Sequence, residues 1–263
     1  MRYTDADHFR EENGYEVEGG WYPRVTKILE IKSKPGLDQF LKEVGNYQSA
    51  EDIKTKSAQE GTLVHEIAEK ILSKRGVSVP EEIRPAMEAL EEFIANRSML
   101  VFPEFLERRI WSERFRYAGT IDALALIDGK AGVLDIKTSL GFYPEFNLQT
   151  AAYVAALQEL PVRKALDCSF PVVTRWILKI NQRSVCNRCE AERRVKGGRE
   201  KVRENGKRGV CVREGGHEWG AVAGSVELKE FPYNIHKDIR AFLGAKTLWE
   251  WEYDYWLRTI GYL

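Results

Sequence analysis

The apolar positions of the chain change period several times, and each change predicts an element. Over residues 48–74, Leu63, Ile67 and Ile71 recur at helical spacing with Val64, Ala68 and Leu72 beside them, predicting a long amphipathic helix. Ile83, Met87, Leu90 and Ile94 predict a second, core-facing helix over 80–97. From Phe105 the period shortens to two: Leu106, Arg108 and Ile110 alternate with Glu107, Arg109 and Trp111, as in a strand. Two apolar runs follow, Ile121–Ile127 and Ala131–Ile136, separated by Asp128-Gly129-Lys130, which is a hairpin signature. A helix then opens at Tyr143-Pro144 and runs to about Glu159, with an alanine face (Ala151, Ala152, Ala155, Ala156) suited to close packing on a sheet. Val172–Ile180 and Val226–Phe231 read as further strands, and Ile235–Leu257 as a closing helix with an aromatic stripe of Trp249, Tyr253 and Trp256. Near the start, Thr26 is placed to cap a short helix that Lys34-Pro35-Gly36 breaks, after which Leu37, Phe40, Leu41 and Val44 share a helical face. Residues 1–20 are polar and predict a loose lead-in.

These elements describe a chain that mixes helices and strands, of the α/β (α+β) class. Its 263 residues, 43% of them hydrophobic, are enough for one large domain with an elaboration. Forty basic and forty acidic residues give a net charge of zero, so any nucleic-acid surface has to be a local patch. No signal peptide, lipidation motif or bilayer-length apolar run is visible, which predicts a cytoplasmic protein without a membrane partner.

The central hairpin carries the densest chemistry. Asp122 stands near the start of its first strand, and Asp135 and Lys137 stand near the end of the second, on one face of the pleat. In an antiparallel pair those ends meet. Two carboxylates and an ammonium in one place suit a hard divalent cation and a phosphate; the same spacing also suits a hairpin end with solvated charges. His65 and Glu69 share a helix face upstream, and Gln149 and Tyr153 share one downstream.

Taken in order, Gly61-Thr62-x-x-His65, Gly119-Thr120-Ile121-Asp122, Asp135-Ile136-Lys137-Thr138 and Gln149-x-x-x-Tyr153 resemble the RecB-like branch of the PD-(D/E)XK nuclease superfamily. That branch includes the nuclease domains of RecB and AddAB, with lambda-exonuclease-type phage enzymes as more distant relatives. The resemblance covers roughly residues 21–182 and 224–260. It implies a restriction-endonuclease-like core, a mixed central sheet flanked by helices, in which His65, Asp122, Asp135 and the Ile136 carbonyl ligate Mg²⁺ or Mn²⁺. Lys137 would be the catalytic lysine, with Gln149 and Tyr153 placing the active site and DNA. Glu113 is a secondary candidate for a metal or water ligand.

The segment outside that resemblance, 184–223, holds Cys186-x-x-Cys189 and, twenty-one residues later, Cys211 with His217 after five more. Such spacing is close to a zinc ribbon, and a segment with few apolar residues needs a metal to hold a shape. The other reading is a polar insertion with incidental cysteines. An iron–sulfur cluster is disfavoured, because no cysteine precedes Cys168 and His217 completes the set; Cys168 is expected in the core. Between Cys189 and Cys211, eight Lys/Arg stand against four Glu, a local excess of +4. Arg193, Arg194, Lys207 and Arg208 are therefore candidate phosphate contacts, although a solvated loop would have the same composition.

The sequence thus predicts a Mg²⁺- or Mn²⁺-dependent DNA exonuclease of recombination or repair, plausibly phage-encoded. Its nuclease domain would span 21–183 and 224–263, interrupted by a structural zinc module. DNA is the expected partner, with room for a recombination or single-strand-binding protein. An endonuclease, a flap nuclease and a non-catalytic DNA-binding adaptor are the alternatives.

Overall fold

A computed structural model describes residues 3–32, 35–204, 211, 216–232 and 235–263. Two chain properties organise it: a hairpin with a two-residue turn at the centre, and strands apolar on both faces. Asp128 (φ 51°) and Gly129 (φ 80°) are both left-handed, the conformation that joins twisted antiparallel strands most tightly. They connect β6 (Ala123–Ile127) to β7 (Lys130–Lys137). On one side β6 pairs with β3 (Met99–Val101); on the other, β7 runs parallel to β8 (Thr174–Cys186). The far side of β8 carries antiparallel β11 (Trp219–Glu230), so the principal sheet is mixed, in the order β3-β6-β7-β8-β11.

Both faces of this sheet are covered, which is why its strands read as near-continuous apolar runs. Leu134, Ile136, Trp176, Leu178 and Ile180 pack under α4 (Tyr47–Leu72) and α5 (Arg84–Ala95). Val133 and Leu124 face the opposite layer, where α6 (Pro144–Leu157) and α8 (Ile235–Glu252) lie. Ala151, Ala152 and Ala156 are fully buried, so the alanine face of α6 does seat a helix tightly. Shorter helices complete the chain: α1 (Ala6–Asn13), α2 (Val25–Leu29), α3 (Pro35–Val44), α7 (Leu160–Ala165) and α9 (Asp254–Thr259). Two-stranded ladders form from β1 (Gly14–Val17) with β2 (Gly20–Pro23) and from β4 (Arg108–Ser112) with β5 (Tyr117–Ile121).

Several expectations are corrected. The first twenty residues are no loose lead-in: Asp5 caps α1, and Phe9 is fully buried among Tyr3, Trp21, Trp249, Tyr253 and Trp256. One large aromatic at a polar helix is enough when a matching stripe waits at the other end of the chain. Thr26 lies within α2, whose N-cap position is Arg24. Phe105 belongs to a short 3-10 turn (Pro103–Phe105), and the strand predicted from it begins only at Arg108. β8 and β11 both extend well beyond the predicted runs, because each pairs with the other along 176–186. At the tip of this long hairpin, β9 (Glu192–Lys196) and β10 (Arg199–Arg203) form a second hairpin on the outer end of β8. Among the described residues no helix is long and apolar enough to cross a membrane.

Candidate active site

Asp122 occupies the bend where the chain leaves β5 and enters β6, so it belongs to neither ladder. One of its carboxylate oxygens accepts the Ile136 N–H, and the same oxygen lies 3.7 Å from His65 Nδ1 on α4. Asp135 and Lys137 point to the face that α6 covers. Asp135 is 1% exposed; Gln149 Nε2 donates to its Oδ1 at 3.0 Å, and Lys137 Nζ stands 2.7 Å from its Oδ2. The same Gln149 amide reaches Tyr153 Oη at 3.1 Å. His65, Asp122, Asp135, Ile136, Lys137, Gln149 and Tyr153 are therefore gathered in one place.

Gly119 sets the depth of this site. A Cβ there would lie 2.4 Å from Tyr153 Cε1, so only glycine lets the phenol ring pass under β5.

A residue passed over in the sequence completes the cluster. His65, Glu107 and Asp122 each offer a ligand atom, and these atoms all lie within 4.8 Å of one another. Glu107 is placed by register: Arg108 pairs with Ile121, so the residue before one meets the residue after the other, and Glu107 N donates to Asp122 O at 3.1 Å. Its φ of 46° is strained for a non-glycine residue, as happens where structure is held for function. In the sequence Glu107 is one member of an alternating run, and only the β4–β5 register reveals its place beside Asp122. Glu113, the expected carboxylate, is at the wrong end. It sits in the turn after β4, about 20 Å along the strand from Glu107 at ~3.3 Å per residue, and its N–H is held by Glu159. Glu69, one turn beyond His65, contributes its charge to Glu107 and Asp122.

The electrostatics show a site short of positive charge. Burial pushes Asp135 up to about 6, with Asp122 adding to it and Lys137 only partly offsetting it. Burial raises Asp122 as well. Glu107 is pushed to about 7 by lost hydration on its inner side and by the charges of Asp122, Glu69 and Asp135, although the residue is exposed at the rim of the site. Burial disfavours the Lys137 ammonium, yet Asp135 and Asp122 outweigh it and hold the amine charged above its usual range. His65 is lowered by burial and by Lys137, which keeps its ring neutral and able to ligate. Asp135 Oδ2 is buried, and its partner is the Lys137 ammonium at 2.7 Å. Three crowded carboxylates and a neutral imidazole fit a hard divalent cation. The group at ligand spacing is His65, Glu107 and Asp122; Asp135 stands beside it, turned toward Lys137 and Gln149.

A second cluster lies at the far end of β8. Cys186, Cys189, Cys211 and His217 bring their ligand atoms within 4.8 Å of one another. Cys186 Sγ is 3.6 Å from Cys211 Sγ, and Cys189 Sγ is 3.3 Å from His217 Nδ1. The three sulfurs are buried and unbridged. Burial works against a Cys186 thiolate, but the N–H groups of Arg188 and Cys189 hold it down at about 5. Burial and the neighbouring sulfurs push Cys211 up to about 12. A bound cation would relieve that conflict, and the donor set suits a soft or borderline metal. Cys168 is apart from this group, in the core.

The β9–β10 hairpin between these clusters does not extend into solvent. Arg194 and Lys196 both donate to Thr138 O, the residue after Lys137, and Lys196 also reaches Thr138 Oγ1. Gly197 N donates to Glu60 Oε1 on α4 at 2.9 Å. Arg193 is turned away, its guanidinium 4.8 Å above the Trp219 ring. Lys207 and Arg208 lie outside the described residues. The chain was compared with family models and with curated proteins, and matches none of either.

Proposed function

We propose that this protein is a metal-dependent nuclease hydrolysing DNA phosphodiester bonds. The arrangement that carries the reading is Asp135, buried between Lys137 and Gln149 and set beside the His65–Glu107–Asp122 group. A divalent cation bound there would supply Lewis-acid polarisation of the phosphoryl oxygen and a more acidic water. Lys137, charged and held by Asp135, is aimed to orient the attacking water and to stabilise negative charge that grows on the phosphate. Gln149 fixes the Asp135 carboxylate and is itself fixed by Tyr153, so that α6 holds the geometry. The Cys186–Cys189–Cys211–His217 group would take structural zinc. Because these groups address the backbone and no base edge, base identity has little influence.

The test is degradation of end-labelled linear DNA beside covalently closed circles, single- and double-stranded, with Mg²⁺ or Mn²⁺. Loss of linear DNA alone, abolished in Lys137→Ala and Asp122→Ala, supports an exonuclease of recombination or repair. Cutting of circles makes it an endonuclease. DNA binding without cleavage, unchanged in both variants, overturns the catalytic reading and leaves a binding adaptor.

A further inference from the structure

The metal centre has one ammonium of its own, and a nucleic-acid strand brings a phosphate at every nucleotide. The next positive charges stand on the β9–β10 hairpin. Arg194 and Lys196 are half-buried, share the single carbonyl of Thr138, and are paired with no carboxylate among the described residues. Glu60, whose charge acts on both, accepts the Gly197 N–H through Oε1 and bridges neither cation. The hairpin is seated deliberately. Gly197, at φ 62°, lies so close to α4 that a Cβ would meet Ser57 Oγ at 2.2 Å and Ile53 O at 2.4 Å. On the helix side, a Cβ at Gly61 would meet Thr138 Oγ1 at 3.3 Å and Lys196 Nζ at 3.8 Å. Beyond Arg194 the surface opens into a cavity of about 630 Å³ lined by Tyr143, Lys201 and Arg203, and by Glu192 and Glu227, which pair with Arg183 and Lys179.

We propose that Arg194 and Lys196 form a second phosphate clamp, gripping the substrate strand next to the scissile bond. The inference rests on the nuclease reading of the neighbouring site and assigns the inserted hairpin to substrate grip. Two donors that already converge on one carbonyl oxygen can converge on a phosphate oxygen, and cations without a carboxylate partner need no ion pair broken first. The cavity lined by Tyr143, Lys201 and Arg203 would receive the continuing strand, with the half-exposed Tyr143 ring as a surface for a base.

The experiment measures binding of a labelled oligonucleotide by fluorescence anisotropy across a KCl series, without Mg²⁺ or Mn²⁺. The full-length wild type is compared with Arg194→Gln, Lys196→Gln, the double variant and Lys196→Arg. Each single neutral substitution is expected to weaken binding about tenfold, as for a charged hydrogen bond. The double variant should also flatten the salt dependence by about one to two in log–log slope. Lys196→Arg keeps the slope. In steady-state cleavage the double variant raises KM at least about tenfold, with kcat falling less than about threefold, because only binding is lost. Wild-type affinity and slope in the double variant would overturn the clamp while leaving the nuclease reading intact. If the wild type binds the oligonucleotide but cleaves nothing with Mg²⁺ or Mn²⁺, while the double variant loses affinity and slope, the nuclease reading falls and Arg194 and Lys196 remain a phosphate grip with no scissile bond beside it. A wild type that binds no oligonucleotide sinks both.

Discussion

Asp135→Asn separates what the buried carboxylate costs the fold from what it provides to the site. Folding moves the Asp135 pKa from 3.8 to about 6, because burial outweighs the Lys137 ammonium. Between those values the folded protein holds a proton that the unfolded chain has released, so stability falls as pH rises through this window. At about 1.4 kcal/mol per pKa unit, the ionised carboxylate forfeits about 3 kcal/mol above pH 6 when no catalytic cation is present. Asparagine keeps the shape and the acceptor for Gln149 but never ionises. Its amide faces Lys137 donor to donor, which takes back about 1 kcal/mol. The variant should therefore be more stable than the wild type by about 2 kcal/mol at pH 8 and no more stable at pH 4. The assay is urea unfolding from pH 4 to 8, with Mg²⁺ and Mn²⁺ omitted. Adding Mn²⁺ at pH 8 should stabilise the wild type more than the variant, which keeps the His65–Glu107–Asp122 group but lacks the neighbouring carboxylate, and cleavage should be lost. A stability difference that stays flat across the pH range would refute the argument from burial.

Other perturbations probe separate parts of the structure. Phe9→Ala, which empties a fully buried aromatic site, should cost about 3–5 kcal/mol in urea unfolding; a loss below 1 kcal/mol would return residues 1–20 to a lead-in. Gly119→Ala forces Tyr153 away from Gln149 and should cost about 1–3 kcal/mol, with cleavage falling further than stability explains. Elemental analysis of the purified protein should find one zinc per chain, and none in Cys186→Ser or Cys211→Ser. Loss of that zinc should weaken oligonucleotide binding toward the level of the Arg194→Gln/Lys196→Gln variant; zinc-free protein that binds DNA normally would uncouple the two.

Elements whose cause is local could be read from the chain alone. Asp128-Gly129 announces the central turn, the apolar periods announce α4 and α6, and Cys186-x-x-Cys189 with Cys211 and His217 announces a cluster the fold does assemble. What was hidden depends on contacts between distant segments. Glu107 reaches Asp122 because of a strand register, and Phe9 is core only because α8 and α9 bring Trp249 and Trp256 to it. Lys196 was one cation among eight in a polar segment until the seating of Gly197 on α4 singled it out.

The long antiparallel hairpin of β8 and β11 has a consequence for how the chain can change over time. Asn181 and Ser225 are direct partners, as are Gln182 and Gly224, so everything from 183 to 223 leaves and returns at one rung of a ladder. A two-residue turn could close that rung and restore an ordinary hairpin. Gain or loss of the arm would then need no rewiring of the sheet and no change to His65, Glu107, Asp122 or Asp135. An inserted arm can in this way be exchanged while the paired strands beneath it stay as they are, and an engineer can graft a different arm at the same rung.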